Sequence, residues 1–417
     1  MKAAGFFKHA VFFTLFFAGF SFHAQNQKKK TDFIYIDGVN LYTPNQQKFL
    51  IQGTNLGNWL NPEGYMFFFE GASSYRLIND AFSEIVGPQF TAEFWRQFKK
   101  NYVTKEDILY IKSTGMNTVR VPFHYKLFTD EDYMGLKKDQ NGFEILDDVI
   151  GWCKEAGLYV ILDMHDAPGG QTGDNIDDGY GFPWLFENKE NQKEFIEIWT
   201  KIARKYASEP TILGYDLLNE PIAHYFTDDL PKLNAKLEPL YKECTAAIRT
   251  VDKNHIILLG GAQWNGNFSI VKDSKFDDKI MYTPHRYWSG TETKDIQDFL
   301  DFRDKVKLPL MIGETGENTD EWVEKFRKTF EENNIGWTFW PYKKMVPKSA
   351  MVYIPKPENW DLIVDYTKKD RGDFAKIREA RPNQELVKKA MLDLLENMKF
   401  KNNKKLEGYT RALGMKP

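Results

Sequence analysis

The stretch ILGYDLLNE, residues 212–220, opens as a buried-looking β-strand and closes on Asn219 and Glu220, with Pro221 behind them. A carboxylate is costly inside a sheet unless it is paired or lies at an opening. The stretch therefore reads as a strand that ends in a site. Seven further runs share its short apolar or β-branched character: FLIQGTN (49–55), NTVRVPF (117–123), LYVILDMH (158–165), HIILLGG (255–261), KIMYTPH (279–285), LPLMIGE (308–314) and IGWTFW (335–340). Segments with helical periodicity stand between and after them, among them TKEDILYIKSTG (104–115), EILDDVIGWCKEAG (144–157), NQKEFIEIWTKIARKYA (191–207) and QELVKKAMLDLLENMK (384–399). This alternation predicts an α/β chain folded as a single (β/α)8 barrel over residues 31–417, with long loops after strand one (61–90) and strand eight (342–372). An open doubly wound sheet is the alternative. QGTNLGNW, which ends and follows the first strand, is a poor glycine-rich phosphate loop and weighs against it.

The first twenty-four residues, MKAAGFFKHAVFFTLFFAGFSFHA, place Lys2 and Lys8 ahead of an apolar run and end on a small residue. They read as a signal peptide cleaved after Ala24, because the run is shorter than the roughly 20 residues a membrane helix needs. A secreted or periplasmic protein without membrane insertion after cleavage is expected, and no cysteine near the junction offers a lipid anchor. The formal charge of −3 and the scatter of lysines exclude a nucleic-acid surface. Cys153 and Cys244 lie in separate helical patterns and read as two buried thiols, not a disulfide. A monomer is expected.

In a barrel of this kind the site lies at the C-terminal ends of the strands. Polar residues gather there at seven of the eight: Asn55, Arg120 with His124, Asp163 with His165, Asn219 with Glu220, His285 with Tyr287, Glu314, and Trp340. Glu220 and Glu314 are about three repeats of a roughly 250-residue barrel apart, which sets them across the mouth from each other. Two facing carboxylates are the minimal apparatus of glycoside hydrolysis. Arg120 and Tyr287 would hold Glu314 ionised, as a nucleophile needs. Glu220, with less positive charge beside it, suits a general acid.

These residues also carry a resemblance. NLGNWL (55–60), NTVRVPFHY (117–125), LDMHDAPGGQ (162–171), LLNEP (217–221), PHRY (284–287), GETG (313–316) and GWTFW (336–340) together resemble glycoside hydrolase family 5. The resemblance implies a retaining (β/α)8 glycosidase with Glu220 as acid/base and Glu314 as nucleophile. It implies further that Arg120 and Tyr287 position Glu314, that Asn219 bonds the sugar 2-hydroxyl, that His165 and His285 line the subsite, and that Trp340 forms its floor. No cofactor and no metal are implied. The pattern is most similar to the secreted exo-β-1,3-glucanase branch, although Phe123, His124, Tyr125 and Lys126 stand where that branch usually has Ile-Gly-Tyr-Trp. The expected substrate is a β-glucan or β-glucoside, with β-1,3 exo-action favoured and an endo-β-1,4-glucanase as the alternative.

Two rivals come from other classes. His124, Asp163, His165, Asp166 and His285 would crowd one rim as a metal site, but no HExxH or His-x-His spacing occurs, and an Asp163–His165 hydrogen bond explains that pair. A non-catalytic sugar-binding barrel would use Trp59, Trp184, Trp288 and Trp340 for stacking, yet has no need of two supported carboxylates. Glu63, Glu70 and Glu317 read as solvated or subsite residues. The loop GDNIDDGYGFPWLF (173–186) is read either as shaping sugar subsites or as ordinary cover.

Overall fold

The computed structural model describes residues 1, 2, 5, 31–136 and 140–417. Nearly all of the leader read at 1–24 lies outside the described residues. Residues 32–417 form one compact unit.

Eight parallel strands make the barrel: β1 (Gln52–Asn55), β2 (Thr118–His124), β3 (Tyr159–Asp166), β4 (Ile212–Asp216), β5 (Ile256–Leu259), β6 (Ile280–Tyr282), β7 (Met311–Ile312) and β8 (Gly336–Phe339). Each pairs with its neighbour in chain order, and β8 pairs with β1. The remaining seam, β6 to β7, is closed by bridges at Tyr282–Leu310 and His285–Glu314. The hydrogen bonds there run from Tyr282 N to Pro309 O and from Gly313 N to Pro284 O. The expected barrel is thus present, with every strand where the sequence placed it.

Strand ends differ from the reading in one informative way. β4 leaves the ladder after Asp216, not after Glu220: Leu217 N makes the last ladder bond, to Leu258 O on β5, and beyond it Asn219 N bonds Met164 O on β3. β7 contributes only two ladder residues before Gly313 and Glu314.

The barrel interior is layered. Ile161, Leu213, Ile256, Leu258, Met281 and Met311 make an apolar lower half, where a buried aliphatic side chain contributes about 1.5–3 kcal/mol. A small antiparallel sheet of Tyr35–Asp37, Asn40–Tyr42 and Lys48–Phe49 adds Ile34 and Leu41 to that cluster. Above it the inward positions turn polar, with Arg120, Asp163 and Asp216 all fully buried.

The loop after β1 contains helices α1 (Tyr75–Val86), α2 (Pro88–Tyr102) and α3 (Lys105–Thr114). The segment after β8 folds back on it: the Trp360 ring stacks on Phe69 at 5.8 Å, and its indole N–H donates to Phe67 O at 3.0 Å. The two long loops are therefore one packed wall. Both cysteines are free and buried, and burial pushes the Cys153 thiol up to about 12. Among the described residues no helix is long and apolar enough to cross a membrane.

Candidate active site

Arg120 stands at the centre of the mouth. Its guanidinium donates to Asp216 Oδ2 (2.9 Å), Asn55 Oδ1 (3.0 Å), Glu314 Oε1 (2.7 Å) and Asn219 Oδ1 (2.9 Å), and lies 2.9 Å from Asp163 Oδ1. Burial works against its charge, but the three carboxylates overcome this and raise its pKa further. Burial in turn pushes both Asp163 and Asp216 up to about 7, against the pull of Arg120. One cation among three buried carboxylates leaves an excess of negative charge, so the cluster holds a proton near neutrality.

Glu314 receives Arg120 on one oxygen and the Tyr287 hydroxyl on the other, at 3.1 Å. Burial raises its carboxyl above the usual range, and Arg120 offsets that rise only in part. Glu220 has no such cation in contact. Burial and then the charge of Glu314 hold it well above the usual carboxylate range. Of the two, Glu220 is therefore the group that keeps its proton. An oxygen of Glu220 and an oxygen of Glu314 lie within 4.8 Å of one another.

His285 Nδ1 is 2.8 Å from Glu220 Oε1, and its buried Nε2 has no protein partner. An orphaned N–H is rarer and costlier than an unused lone pair. The ring proton accordingly belongs on Nδ1, facing Glu220 Oε1 and leaving the second oxygen of Glu220 to carry the acidic proton. Burial keeps His285 neutral and also pushes His165 down to about 4. His165 Nδ1 meets Asp163 Oδ2 at 2.8 Å, as the sequence suggested for that pair.

The β4 end is held by the loop after β3. The Gln171 amide donates to both His165 O (2.8 Å) and Asn219 O (2.9 Å), and Thr172 Oγ1 donates to Glu220 O at 2.7 Å. These bonds support a left-handed backbone at Glu220 (φ 45°) and Ile222 (φ 62°), conformations that non-glycine residues adopt only where their surroundings fix them. Trp199 donates to Leu217 O at 2.9 Å from the helical layer outside.

All eight residues read from the sequence, Arg120, His165, Asn219, Glu220, His285, Tyr287, Glu314 and Trp340, surround this mouth. Trp340 is less open than a platform: it is 3% exposed, parallel to His165 at 5.2 Å, with its indole N–H given to Tyr65 at 2.8 Å. Trp59, named among possible stacking surfaces, is buried and bonded to Lys99 O, whereas Trp184 and Trp288 are exposed. Glu70 is solvated and paired with Lys368. Glu63 is not solvated: it is 6% exposed, its Oε1 has no hydrogen-bond partner, and it lies 4.0 Å from His165 Nε2. Its place soon after a strand end was the available signal. Tyr65 was not foreseen. It donates to Glu317 Oε1 at 3.0 Å, and Lys344 holds the same carboxylate at 2.6 Å.

His124 falls away from the carboxylate pair. Its Nε2 meets Asp166 Oδ2 (3.0 Å) and Asp178 Oδ2 (3.1 Å), while its Nδ1 accepts the Lys126 amide at 3.1 Å. The aspartates favour an imidazolium, pushing the ring up to about 8 against burial. The amide aimed at Nδ1 leaves no place for a second ring proton, so the neutral tautomer with Nε2–H is the consistent one. A nitrogen that donates does not ligate a metal, and this cluster is a scaffold. The loop 173–186 is pinned the same way: Asp177 accepts amides from Thr172, Gly173 and Gly179 at 2.6, 2.9 and 2.8 Å.

An eight-stranded parallel barrel with closely spaced, differently supported carboxylates at its C-terminal mouth defines a barrel glycoside hydrolase. The profile of the cellulase family, glycosyl hydrolase family 5, matches residues 81–345, and the chain belongs to that family. It is similar to a β-xylosidase of Phanerodontia chrysosporium (31% identity, covering 61% of this chain and 52% of that one). It is also similar to endoglucanase C of Acetivibrio thermocellus (28%, covering 60% and 87%) and to a probable glucan 1,3-β-glucosidase A of Aspergillus clavatus (24%, covering 66% and 67%). The chain thus matches about half the length of the β-xylosidase. Among solved structures, an endogalactoceramidase superposes with a TM-score of 0.60 at 15% identity, over 91% of this chain and 84% of that one. An endoglucanase of Thermotoga maritima superposes with 0.51 at 19%, over 72% and 91%; both likenesses speak to the fold.

Proposed function

We propose that the protein is an exported retaining β-glucanase that releases glucose units from β-1,3-glucan, with Glu314 as nucleophile and Glu220 as acid/base. The observation that carries the mechanism is the close approach of the two carboxylates. Retaining enzymes place them about 5–5.5 Å apart, whereas inverting ones leave about 6.5–9.5 Å for a water. Glu314 attacks the anomeric carbon as the bond to the leaving oxygen breaks, and that oxygen takes the proton of Glu220. In the second step Glu220 removes a proton from water, the water oxygen attacks the same carbon, and Glu314 is released.

Arg120 and Tyr287 keep Glu314 ionised and aimed, and Asn219, His165 and His285 line the reacting sugar's seat. Glu63, with an unpartnered oxygen beside His165, suits a sugar hydroxyl donor at that seat. Exo-action is supported by the wall of the two long loops, which brings Tyr65, Glu317 and Lys344 to one side of the mouth, and by the likeness to glucan 1,3-β-glucosidases. Export is supported by the apolar leader. The likeness to endoglucanase C favours endo-β-1,4 cleavage as a second reading. Chromatography of products from laminarin and carboxymethylcellulose separates them. Glucose alone from the first time points on laminarin is expected, and an oligosaccharide ladder or a preference for the cellulose derivative overturns the exo-1,3 reading.

A further inference from the structure

Three residues that touch one another behind Glu220 each keep a buried polar atom without a partner in the protein: His285 Nε2, Thr283 Oγ1 and Asn265 Oδ1. Thr283 and Asn265 are fully buried, and His285 is 4% exposed. Unpartnered polar atoms at such depth are exceptions in folded proteins, and each calls for a cause.

The backbone brings two of these atoms together. A Cβ on Gly313 would stand 2.1 Å from Thr283 Oγ1 and 2.8 Å from His285 Nε2, and those distances sum to 4.9 Å, the largest separation the pair can have. No hydrogen bond joins them directly. Asn265 borders both residues: its amide donates to Thr283 O at 2.9 Å, and its backbone O accepts from His285 N at 3.3 Å. It reaches this position through a left-handed run, Gln263, Trp264 and Asn265, with φ of 50°, 56° and 57°. Such a run persists only where neighbours impose it. Gly260 leaves the room, since a Cβ there would stand 2.2 Å from Asn265 Oδ1.

We infer that Thr283 is a positioning residue that fixes the tautomer of His285 through one buried water. The Thr283 hydroxyl donates to the water, and the water donates to His285 Nε2. Asn265 Oδ1 is the unpartnered acceptor available for the water's second proton. A donor and an acceptor that converge without bonding are what a bridging water joins, and two to four polar partners hold such a water. The nitrogen that accepts leaves the ring proton on the other, so Nδ1–H faces Glu220 Oε1 at 2.8 Å. Glu314 Oε2, 3.7 Å from Nδ1, favours the proton on the same atom. Burial, Arg120 and His165 all oppose a second ring proton, so what Thr283 decides is the tautomer and not the charge.

The inference rests on the reading of Glu220 as acid/base. An Nδ1–H donated to Glu220 Oε1 stabilises the carboxylate left when the departing oxygen takes the proton, and holds it in place to take a proton from water in the second step.

The test compares wild type, Thr283→Val and Thr283→Ser. Two-bond proton–nitrogen correlation spectra report which ring nitrogen of each histidine carries the proton, and His285→Gln assigns the signal. Wild type and Thr283→Ser are expected to carry it on Nδ1. Thr283→Val keeps the shape but loses the hydroxyl, and should move the proton at least partly to Nε2. Glu220 then loses a donor and its pKa rises, so the basic limb of kcat/KM on laminarin should move up by about half a pH unit or more. Its kcat should fall by roughly tenfold, and Thr283→Ser should retain both the limb and the rate. A wild-type proton on Nε2 overturns the inference, as does a Thr283→Val protein with tautomer and basic limb unchanged, whatever its Tm. A crystal structure of the wild type is a second readout that does not depend on the folding of any variant. One water within hydrogen-bond distance of both Thr283 Oγ1 and His285 Nε2 supports the bridge, and its absence there overturns it. Failure of the acid assignment shows separately, as a Glu220→Ala variant that loses as much on 2,4-dinitrophenyl β-glucoside as on laminarin; the histidine spectra still decide the role of Thr283.

Discussion

Arg120 Nη1 lies 2.7 Å from Glu314 Oε1, and the guanidinium that makes this contact is itself fixed by Asp216, Asn55 and Asn219. The pair spans the barrel from β2 to the end of β7. It joins the packing of the upper interior to the ionisation of Glu314, so on the proposed mechanism changes at Arg120 act on both stability and chemistry.

Arg120→Lys keeps a charge but replaces a planar five-donor fork with a point charge bearing three donors. Glu314 then loses part of its stabilisation as an anion, and its pKa rises. The acidic limb of kcat/KM should move to higher pH and kcat should fall by about a hundredfold or more. Breaking a buried ion pair outright costs about 3–5 kcal/mol, and Lys should lose part of that. A pH–rate profile together with a melting curve checks this; an unmoved acidic limb would detach Arg120 from the ionisation of Glu314.

Glu314→Gln should reduce hydrolysis by several orders of magnitude with little change in Tm, because the amide retains volume and an acceptor for Arg120 while losing the nucleophile. Glu220→Ala should lose far more on natural glucans than on aryl glycosides with good leaving groups, for which the first step needs no acid. Equal losses on both substrates would contradict the acid role. Steady-state rates on laminarin and on 2,4-dinitrophenyl β-glucoside decide the point.

The barrel was legible because each strand is a short apolar run set between helical periodicities, and the mouth because polar residues recur at strand ends. The way β4 leaves the sheet was not. Leu217 and Leu218 look like strand continuation, but just beyond them Gln171 and Thr172 take hold of Asn219 O and Glu220 O, a tertiary effect without local signal. The hairpin at 35–42 did carry one, since Gly38 at φ 61° starts the two-residue turn between Asp37 and Asn40. Its strands are three residues each and stand outside the βα alternation that reveals the barrel. Glu63 was visible as a residue, but only the packed wall of the two long loops explains why it is buried.

Asp216 offers a test of the excess negative charge around Arg120. Burial pushes its carboxyl up to about 7, well above an unfolded value of about 3.9. Between those limits the folded state binds more protons than the unfolded state, so the Asp216 contribution to stability declines as pH rises and is flat above about 7. Asp216→Asn removes that decline. The Tm of the variant minus that of wild type should therefore become more positive from about pH 4 to about pH 7. His165, pushed down to about 4, gives wild type the opposite slope over part of this range, but it is common to both proteins and cancels in the difference. A pH-independent difference would place the shared proton elsewhere.

Gly313 precedes Glu314 at the seam of the barrel, and a Cβ there would stand 2.1 Å from Thr283 Oγ1 and 2.8 Å from His285 Nε2. Thr283 is fully buried and His285 is 4% exposed, so neither has free space into which to withdraw. Gly313→Ala should cost about 1–3 kcal/mol by overpacking. It should also displace the imidazole that orients Glu220. Activity on glucans, which needs the acid, should then fall by roughly tenfold or more, with a smaller loss on activated aryl glucosides. Gly57→Ala is the contrasting variant, because its Cβ would meet the Trp340 ring at 2.6 Å, which on the proposed reading of that ring as the floor of the sugar's seat disturbs every substrate alike. The ratio of glucan to aryl-glucoside rates should therefore fall for Gly313→Ala and hold for Gly57→Ala. The same ratio in both variants would mean that His285 does not set the position of the acid.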